Sequence, residues 1–281
     1  MKPQQPAANT VKLPYFDYLL SMLSAGNDTI EKSFGRHVHW GYWQHPKTAT
    51  LTTEDFQQAA ENLTRQVCLA AQIKDGQQVL DVGCGFGGTV AFINEQYHAM
   101  QLVGLNLDER QLERARATVF PLADNSIAFQ HGNACALPFA DNSFDVVLAV
   151  ECIFHFPSRE QFFKEAYRVL KPNGYLALSD FIPSTSLLPF TKMSWFGRFY
   201  GNCNLDYSSQ HYRQLAQQIG FNTLVEHDIT ANTLPTYDYL QQLANQQGIK
   251  HKTARLETAV VAILSRLKLL HYYIYGWQKS A

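Results

Sequence analysis

The stretch that most restricts what this chain can fold into is Val79-Leu80-Asp81-Val82-Gly83-Cys84-Gly85-Phe86-Gly87-Gly88. A short apolar run broken by a glycine cluster reads as a strand entering a sharp turn, and Val90-Ala91-Phe92-Ile93 behind it carries a helical pattern. Glycine serves such a turn because its backbone bends freely and lets a ligand come close. The spacing of Gly83, Gly85 and Gly88 also satisfies G-x-G-x-x-G, so a dinucleotide loop and an NAD-dependent oxidoreductase have to be weighed. Asp81 argues against that reading. An anion two residues before the first glycine opposes a pyrophosphate and favours a ligand with a positive group.

The pattern continues down the chain. Leu102-Val103-Gly104-Leu105, Ile127-Ala128-Phe129, Phe144 to Ala149 and Tyr175 to Ser179 read as strands, separated by helical segments after Asp108 and from Ser158 to Leu170. Strands alternating with helices predict an α/β fold, a Rossmann-like doubly wound sheet of about seven strands whose ligand lies beyond the strands' carboxyl ends. After Asp180 the plan changes: 208–220 reads as a helix closed by Gly220, 223–229 as a strand, and 271–277 as a last strand. The expected organisation is an N-terminal helical lid over 1–70, a core over 71–182, a helical and aromatic cap over 183–206 and 232–270, and the rest of the sheet in 207–231 and 271–281. No internal repeat is visible.

Five motifs in order carry a resemblance. The glycine segment looks like the first motif of the class I S-adenosylmethionine-dependent methyltransferases, whose cofactor brings an ammonium and a sulfonium. Gly104-Leu105-Asn106-Leu107-Asp108 resembles the family's second-strand end, and Gly132-Asn133-Ala134 with Leu137-Pro138-Phe139 its adenine-side motif. Ser143 to Val147 is similar to the fourth strand, and Arg168-Val169-Leu170-Lys171-Pro172-Asn173-Gly174 to the turn before the fifth. The resemblance covers roughly 60–230 and implies a Rossmann-like fold, S-adenosylmethionine as cofactor and S-adenosylhomocysteine as product. It assigns cofactor binding to Asp81, Gly83, Gly85, Asn106, Leu107, Gln111, Asn133, Ala134 and Glu151. Two positions depart from the family's habit: Asn106 stands where an acid commonly meets the ribose, and Asn133 where an Asp is frequent at the adenine. Asn106 is read either as a ribose ligand or as a strand-end turn residue.

Glu151-Cys152-Ile153-Phe154-His155-Phe156-Pro157 looks like the E-x-x-x-H-F/M-P segment of methyltransferases acting on sugars, macrolides and other natural products. By that match His155 is the candidate base and Asp180 its partner, against the plainer reading of both as loop residues. His37-Val38-His39-Trp40-Gly41-Tyr42-Trp43 resembles the N-terminal segment that folds over the cofactor in tocopherol, sarcosine and sugar methyltransferases. Trp43 is assigned there to the cofactor, and His39 and Tyr42 to the acceptor, with aromatic packing of the N-terminal helices as the alternative. No metal is expected, because the two imidazoles lack further nearby ligands. Phe154, Trp195, Phe199 and Tyr200 are read as an apolar acceptor wall.

Composition narrows the partners. Charged residues make up 17% of the chain, below the usual quarter, and aromatics 13%. The net charge of −1 and the lack of a basic stretch disfavour nucleic acid. The five scattered cysteines form no CxxC pair and fit a reducing compartment. No signal-peptide plan is visible at the start, and the longest apolar run, Ala259 to Leu264, is far short of the ~20 residues a span needs. These features predict a cytoplasmic enzyme without integral membrane association, a monomer or homodimer. The expected activity is methylation of an apolar or amphipathic small molecule, a secondary metabolite, with oxygen favoured as acceptor and His155 and Asp180 assisting deprotonation. N- or C-methylation by positioning alone and a non-catalytic cofactor-binding regulator stay open. Residues 259–270 read first as a buried cap helix, then as a dimer contact or membrane-surface patch.

Overall fold

Seven strands form one sheet in the order β3-β2-β1-β4-β5-β7-β6. The computed structural model describes residues 13–191, 199–201, 203–249 and 251–281. In chain order the elements are α1 (Pro14–Ser24), α2 (Asp28–Phe34), α3 (Thr53–Ala70), β1 (Gln78–Val82), α4 (Gly88–Gln96), β2 (Gln101–Asn106), α5 (Glu109–Thr118), β3 (Ser126–His131), β4 (Phe144–Val150), α6 (Arg159–Val169), β5 (Leu170–Pro183), α7 (Ser209–Ile219), β6 (Phe221–Asp228), α8 (Thr230–Thr233), α9 (Pro235–Gln246), α10 (Lys252–Arg266) and β7 (Leu270–Lys279). The first five strands pair in parallel, and β7 enters antiparallel between β5 and β6.

β1 is central and carries Val79-Leu80-Asp81-Val82 fully inside, as expected of a strand covered on both faces. The strand order reverses between β1 and β4. That switch point opens a crevice past the carboxyl ends of both strands, at Gly83 and Glu151. Alternation along β4 feeds two cores. Val147 and Ala149 join Phe162, Phe163 and Tyr212 of α6 and α7 on one face, while Val146, Leu148 and Val150 join Leu63, Val67, Val90 and Ile93 of α3 and α4 on the other.

Local signals set the helix ends. The Thr52 side chain accepts from Asp55 N to open α3, Ser158 accepts from Gln161 N to open α6, and Gly220, at φ 105°, closes α7. The N-terminal region is not helical throughout as expected: between α2 and α3 the chain is irregular apart from a 3₁₀ turn at Pro46–Thr48. Its Gly, Pro and aromatic residues lack a helical stripe, and tertiary hydrogen bonds hold it instead. Tyr42 N donates to Ala59 O (2.7 Å), Trp43 N to Asn232 O (2.9 Å) and Gly41 N to Thr236 Oγ1 (3.1 Å).

A third core cluster fastens α1, α2, α3 and α9 above the sheet through Phe16, Ile30, Phe56, Tyr239 and Leu243. Phe56 is its hub, fully buried and stacked on Tyr239 at 4.4 Å. Phe56→Ala is expected to lower unfolding free energy by about 3–5 kcal/mol, the usual cost of emptying a fully buried aromatic site. Urea denaturation measures it, and a change below about 1 kcal/mol would show that this cluster does not hold the N-terminal helices.

Candidate active site

Two cavities meet at the carboxyl ends of β1 and β4. The smaller, about 380 Å³, is floored by the glycine turn and bounded by Asn106, Leu107, Gln111, Asn133, Ala134 and Glu151. Gly83 N and Cys84 N both donate to Leu105 O, which pulls the turn onto the end of β2. Gly85, at φ 54°, faces open space where a Cβ would sit, so the backbone here is bare toward the cavity. A Cβ on Gly88 would lie 2.5 Å from Arg36 O, so this glycine lets the N-terminal segment rest on the start of α4.

Asp81 is the unusual group in this cavity. It is buried, its Oδ2 has no hydrogen-bond partner among the described residues, and burial pushes its carboxyl up to about 7. A carboxylate held this way welcomes a cation and repels a phosphate. The amide positions are more committed. Asn106 Oδ1 accepts from Asp108 N (3.0 Å) and its Nδ2 donates to Gln111 Oε1 (3.0 Å), so both turn-residue and cavity-wall descriptions apply to it. Asn133 Oδ1 accepts from Cys135 N (2.8 Å).

The larger cavity, about 590 Å³, is bounded by α1, Trp40, Phe154, Phe181, Phe199, Tyr200, α9 and α10, and its wall is mostly apolar. Tyr15, Val38, His39, Glu151 and His155 line both cavities and form the partition between them. Tyr15 Oη lies 3.4 Å from His155 Nε2. Burial raises the Tyr15 hydroxyl well above its ordinary value, so it stays protonated. His39 is driven down to about 3, by burial first and then by His37, and is neutral. Its Nδ1 lies 2.9 Å from Trp40 O, a carbonyl that only accepts, so Nδ1 carries the proton. Burial pushes Glu151 up to about 8 against hydrogen bonds donated by Tyr272 Oη and, at 2.9 Å, by Trp40 N. Glu151 also sits at φ 50°, a strained conformation for a non-glycine residue that aims its side chain out of the strand end.

The structure brings together most of the residues that the sequence singled out. Asp81, Gly83, Gly85, Asn106, Leu107, Gln111, Asn133, Ala134 and Glu151 line the smaller cavity, Phe154, Phe199 and Tyr200 the larger, and His39 and His155 both. Trp195 lies outside the described residues. Three expectations need correction. Trp43 lines neither cavity: it is buried against Phe56, with Nε1 donating to Asp55 Oδ2 (3.0 Å). Tyr42 lines neither as well, packing toward the core beside α3.

Asp180 is also placed differently from its expected partnership with His155. Its Oδ2 accepts from Arg159 Nη2 (3.0 Å) and Tyr212 Oη (2.5 Å), its Oδ1 accepts from Phe181 N (2.8 Å), and it borders neither cavity. Arg159 Nη2 also donates to Asn204 O, and Asn204 N to Phe154 O, so this buried cluster braces the turn that carries His155. Sequence reasoning missed Tyr15 and gave Trp40 no role. Tyr15 stands in no motif; its only signal is Pro14 opening an aromatic-rich helix.

Residues 80–178 match the methyltransferase domain family. Methyltransferase GfsG of Streptomyces halstedii is 31% identical to this chain over 236 residues, 79% of this chain and 82% of that protein. O-methyltransferase resE of Aspergillus sclerotiorum is 30% identical over 243 residues, 85% and 86% of the two chains. In fold, the solved structure of mycolic acid cyclopropane synthase CmaA1, complexed with SAH and CTAB, matches with a TM-score of 0.75 at 18% identity, covering 95% of this chain and 99% of that one.

The raised carboxyl of Asp81 gives the ligand-free protein a pH signature. Its ordinary value is 3.8 and its folded value about 7, so the stabilisation from its retained proton is full below about pH 4 and is lost as pH rises through 7. The slope for this one group is at most about 1.4 kcal/mol per pH unit. Asp81→Asn is expected to flatten the fall in unfolding free energy between pH 5 and 8, measured by denaturant titration at each pH. Parallel curves for the two proteins would show that Asp81 is not perturbed.

Proposed function

The chain belongs to the class I S-adenosylmethionine-dependent small-molecule methyltransferases, a family that includes natural-product O-methyltransferases, and from that membership we propose that it methylates a hydroxyl group of an apolar or amphipathic secondary metabolite. The observation that carries the reading is the shared wall: one cavity holding a buried carboxyl with one oxygen unbonded among the described residues, a larger apolar cavity, and His155 lining both.

The smaller cavity fits the cofactor. Asp81 would take its ammonium, the bare backbone at Gly85 would permit close approach, and Asn106, Leu107, Gln111, Asn133 and Ala134 would bound its nucleoside end. When bound, S-adenosylmethionine supplies an electrophilic methyl group on a good leaving group. The protein's own work is then alignment, dryness and proton management. The larger cavity holds the apolar body of the acceptor against Phe154, Phe181, Phe199 and Tyr200. His155 receives the proton of the acceptor hydroxyl, with the Tyr15 hydroxyl beside it to orient the imidazole or the acceptor oxygen. The neutral state of His39 and the protonated state of Tyr15 keep fixed charge out of the partition. Asp180 works at one remove, through Arg159 and Asn204, by fixing the turn at 153–155.

Two further observations favour this reading over those weighed beside it. The buried carboxyl under the glycine turn, with one oxygen unbonded among the described residues, takes up its charge most readily beside a cation, which the pyrophosphate of NAD does not offer, and an acceptor wall of aromatic side chains suits a small apolar molecule better than a nucleic acid. Incubation with methyl-labelled S-adenosylmethionine and a panel of apolar hydroxylated metabolites is expected to yield label in a small-molecule ether. Label in RNA or protein alone would contradict the proposal. His155→Ala is expected to lower kcat by about 10²–10⁴ with cofactor affinity nearly unchanged. If turnover and its pH dependence survive, proton transfer to His155 is excluded and positioning alone remains.

A further inference from the structure

α10 packs Val261 and Leu264 against the core but carries a second set of large apolar side chains outward. Its buried positions are Ala254, Glu257, Ala262 and Ser265, whereas Leu256, Ile263 and Leu267 at its end are 65%, 55% and 63% exposed. At 100° per residue, 256, 260, 263 and 267 form one stripe, and residue 260 is valine. A helix that served only the fold would turn polar residues to this side. The exposed charges that α10 and its flanks bring to the stripe have one sign. From 250 to 268 the sequence holds Lys250, Lys252, Arg255, Arg266 and Lys268 against one acid, Glu257, in a chain of net charge −1. Glu257 faces inward, where it accepts from the backbone N–H groups of Phe199 and Tyr200. Arg266 pairs with Asp238 and Arg255 bonds Asn245, while Lys252 and Lys268 are exposed and have no ion pair among the described residues.

The stripe adjoins the site. Ala259, Ile263, Arg255 and Arg266 of α10 also rim the larger cavity, so apolar surface runs from the outside of the helix to the cavity mouth. No helix among the described residues is long and apolar enough to cross a membrane, but an outward apolar stripe edged by cations needs only to lie on one.

We propose that the outer face of α10 docks on a membrane surface bearing anionic lipids. Leu256, Val260, Ile263 and Leu267 enter the acyl boundary and Lys252 and Lys268 meet the phosphates. A second copy of the chain fits this face poorly, since a two-fold contact would set its basic edge against another basic edge. Docking here lets an amphipathic acceptor pass from bilayer to cavity without crossing water. That consequence rests on the acceptor reading of the cavity; the docking itself does not.

Co-sedimentation of the whole protein with vesicles of phosphatidylcholine alone, and of phosphatidylcholine mixed with phosphatidylglycerol, tests the proposal. The expected result is binding to the mixed vesicles at least about tenfold tighter than to the neutral ones, weakening as salt rises. The L256Q/L267Q variant should lose roughly tenfold or more, and Lys252→Gln and Lys268→Gln about fivefold each. All three should melt as the wild type does, because these side chains are exposed. Equal binding to both vesicles, binding untouched by the leucine changes, or a dimer in light scattering that L256Q/L267Q dissociates would each overturn it. Failure of the methyltransferase reading shows separately, as absence of label transfer in a lipid-free assay.

Discussion

At the end of the central strand a carboxylate is buried with one oxygen unbonded, and the surrounding architecture is arranged around that cost. Removing a charge from water without a partner is worth several kcal/mol against folding. The sheet absorbs it by raising the Asp81 carboxyl to about 7, so that the group holds its proton below that value when no cation is present. The position is dictated by topology: β1 is flanked by β2 on one side and β4 on the other, so its carboxyl end opens into the crevice where the strand order reverses. Gly83 leaves room for the Cys152 side chain, which a Cβ there would meet at 2.8 Å, Gly85 leaves open space beside the turn, and the N-terminal segment closes over the start of α4 at Gly88.

The partition between the cavities follows a second constraint, electrical quiet. His39 is held neutral, Tyr15 stays protonated, and Glu151 is tied down by Tyr272 and the Trp40 backbone. Such a wall suits a methyl transfer from a sulfonium, because no competing fixed ion has to be rearranged as the methyl passes. Rigidity comes from behind. The Arg159–Asp180–Tyr212 cluster is wholly buried and reaches the 153–155 turn through Asn204. Its contribution is to geometry, since a buried ion pair is weak support for net stability.

What the sequence made legible was local. β1, its glycine turn and α4 form one contiguous signal, and Asp81, Gly83 and Gly85 stand where that signal puts them, as Asn106 does at the end of β2. Side-chain choice within a motif was harder. Of the two tryptophans in 37–43, the structure turns Trp40 to the larger cavity and buries Trp43 on Phe56, a difference set by how an irregular segment lies on α3 and α8 and not by spacing. Asp180 was misleading for a related reason. A carboxylate at a strand end reads as facing the site, but Arg159, more than twenty positions away in sequence, claims it from below. Tyr15 was invisible because its role depends on α1 folding back over the sheet, a contact with no local signature.

The central claim is that the Asp81 carboxylate is the receptor for a cationic group. Calorimetric titration with S-adenosylmethionine in two buffers of different ionisation enthalpy tests it most directly. Below the raised value near 7, binding should expel the carboxyl proton, giving a buffer-dependent heat at pH 6 that shrinks by pH 8 and is absent in Asp81→Asn. Buffer-independent heats at both pH values, or undiminished affinity in Asp81→Asn, would contradict the account.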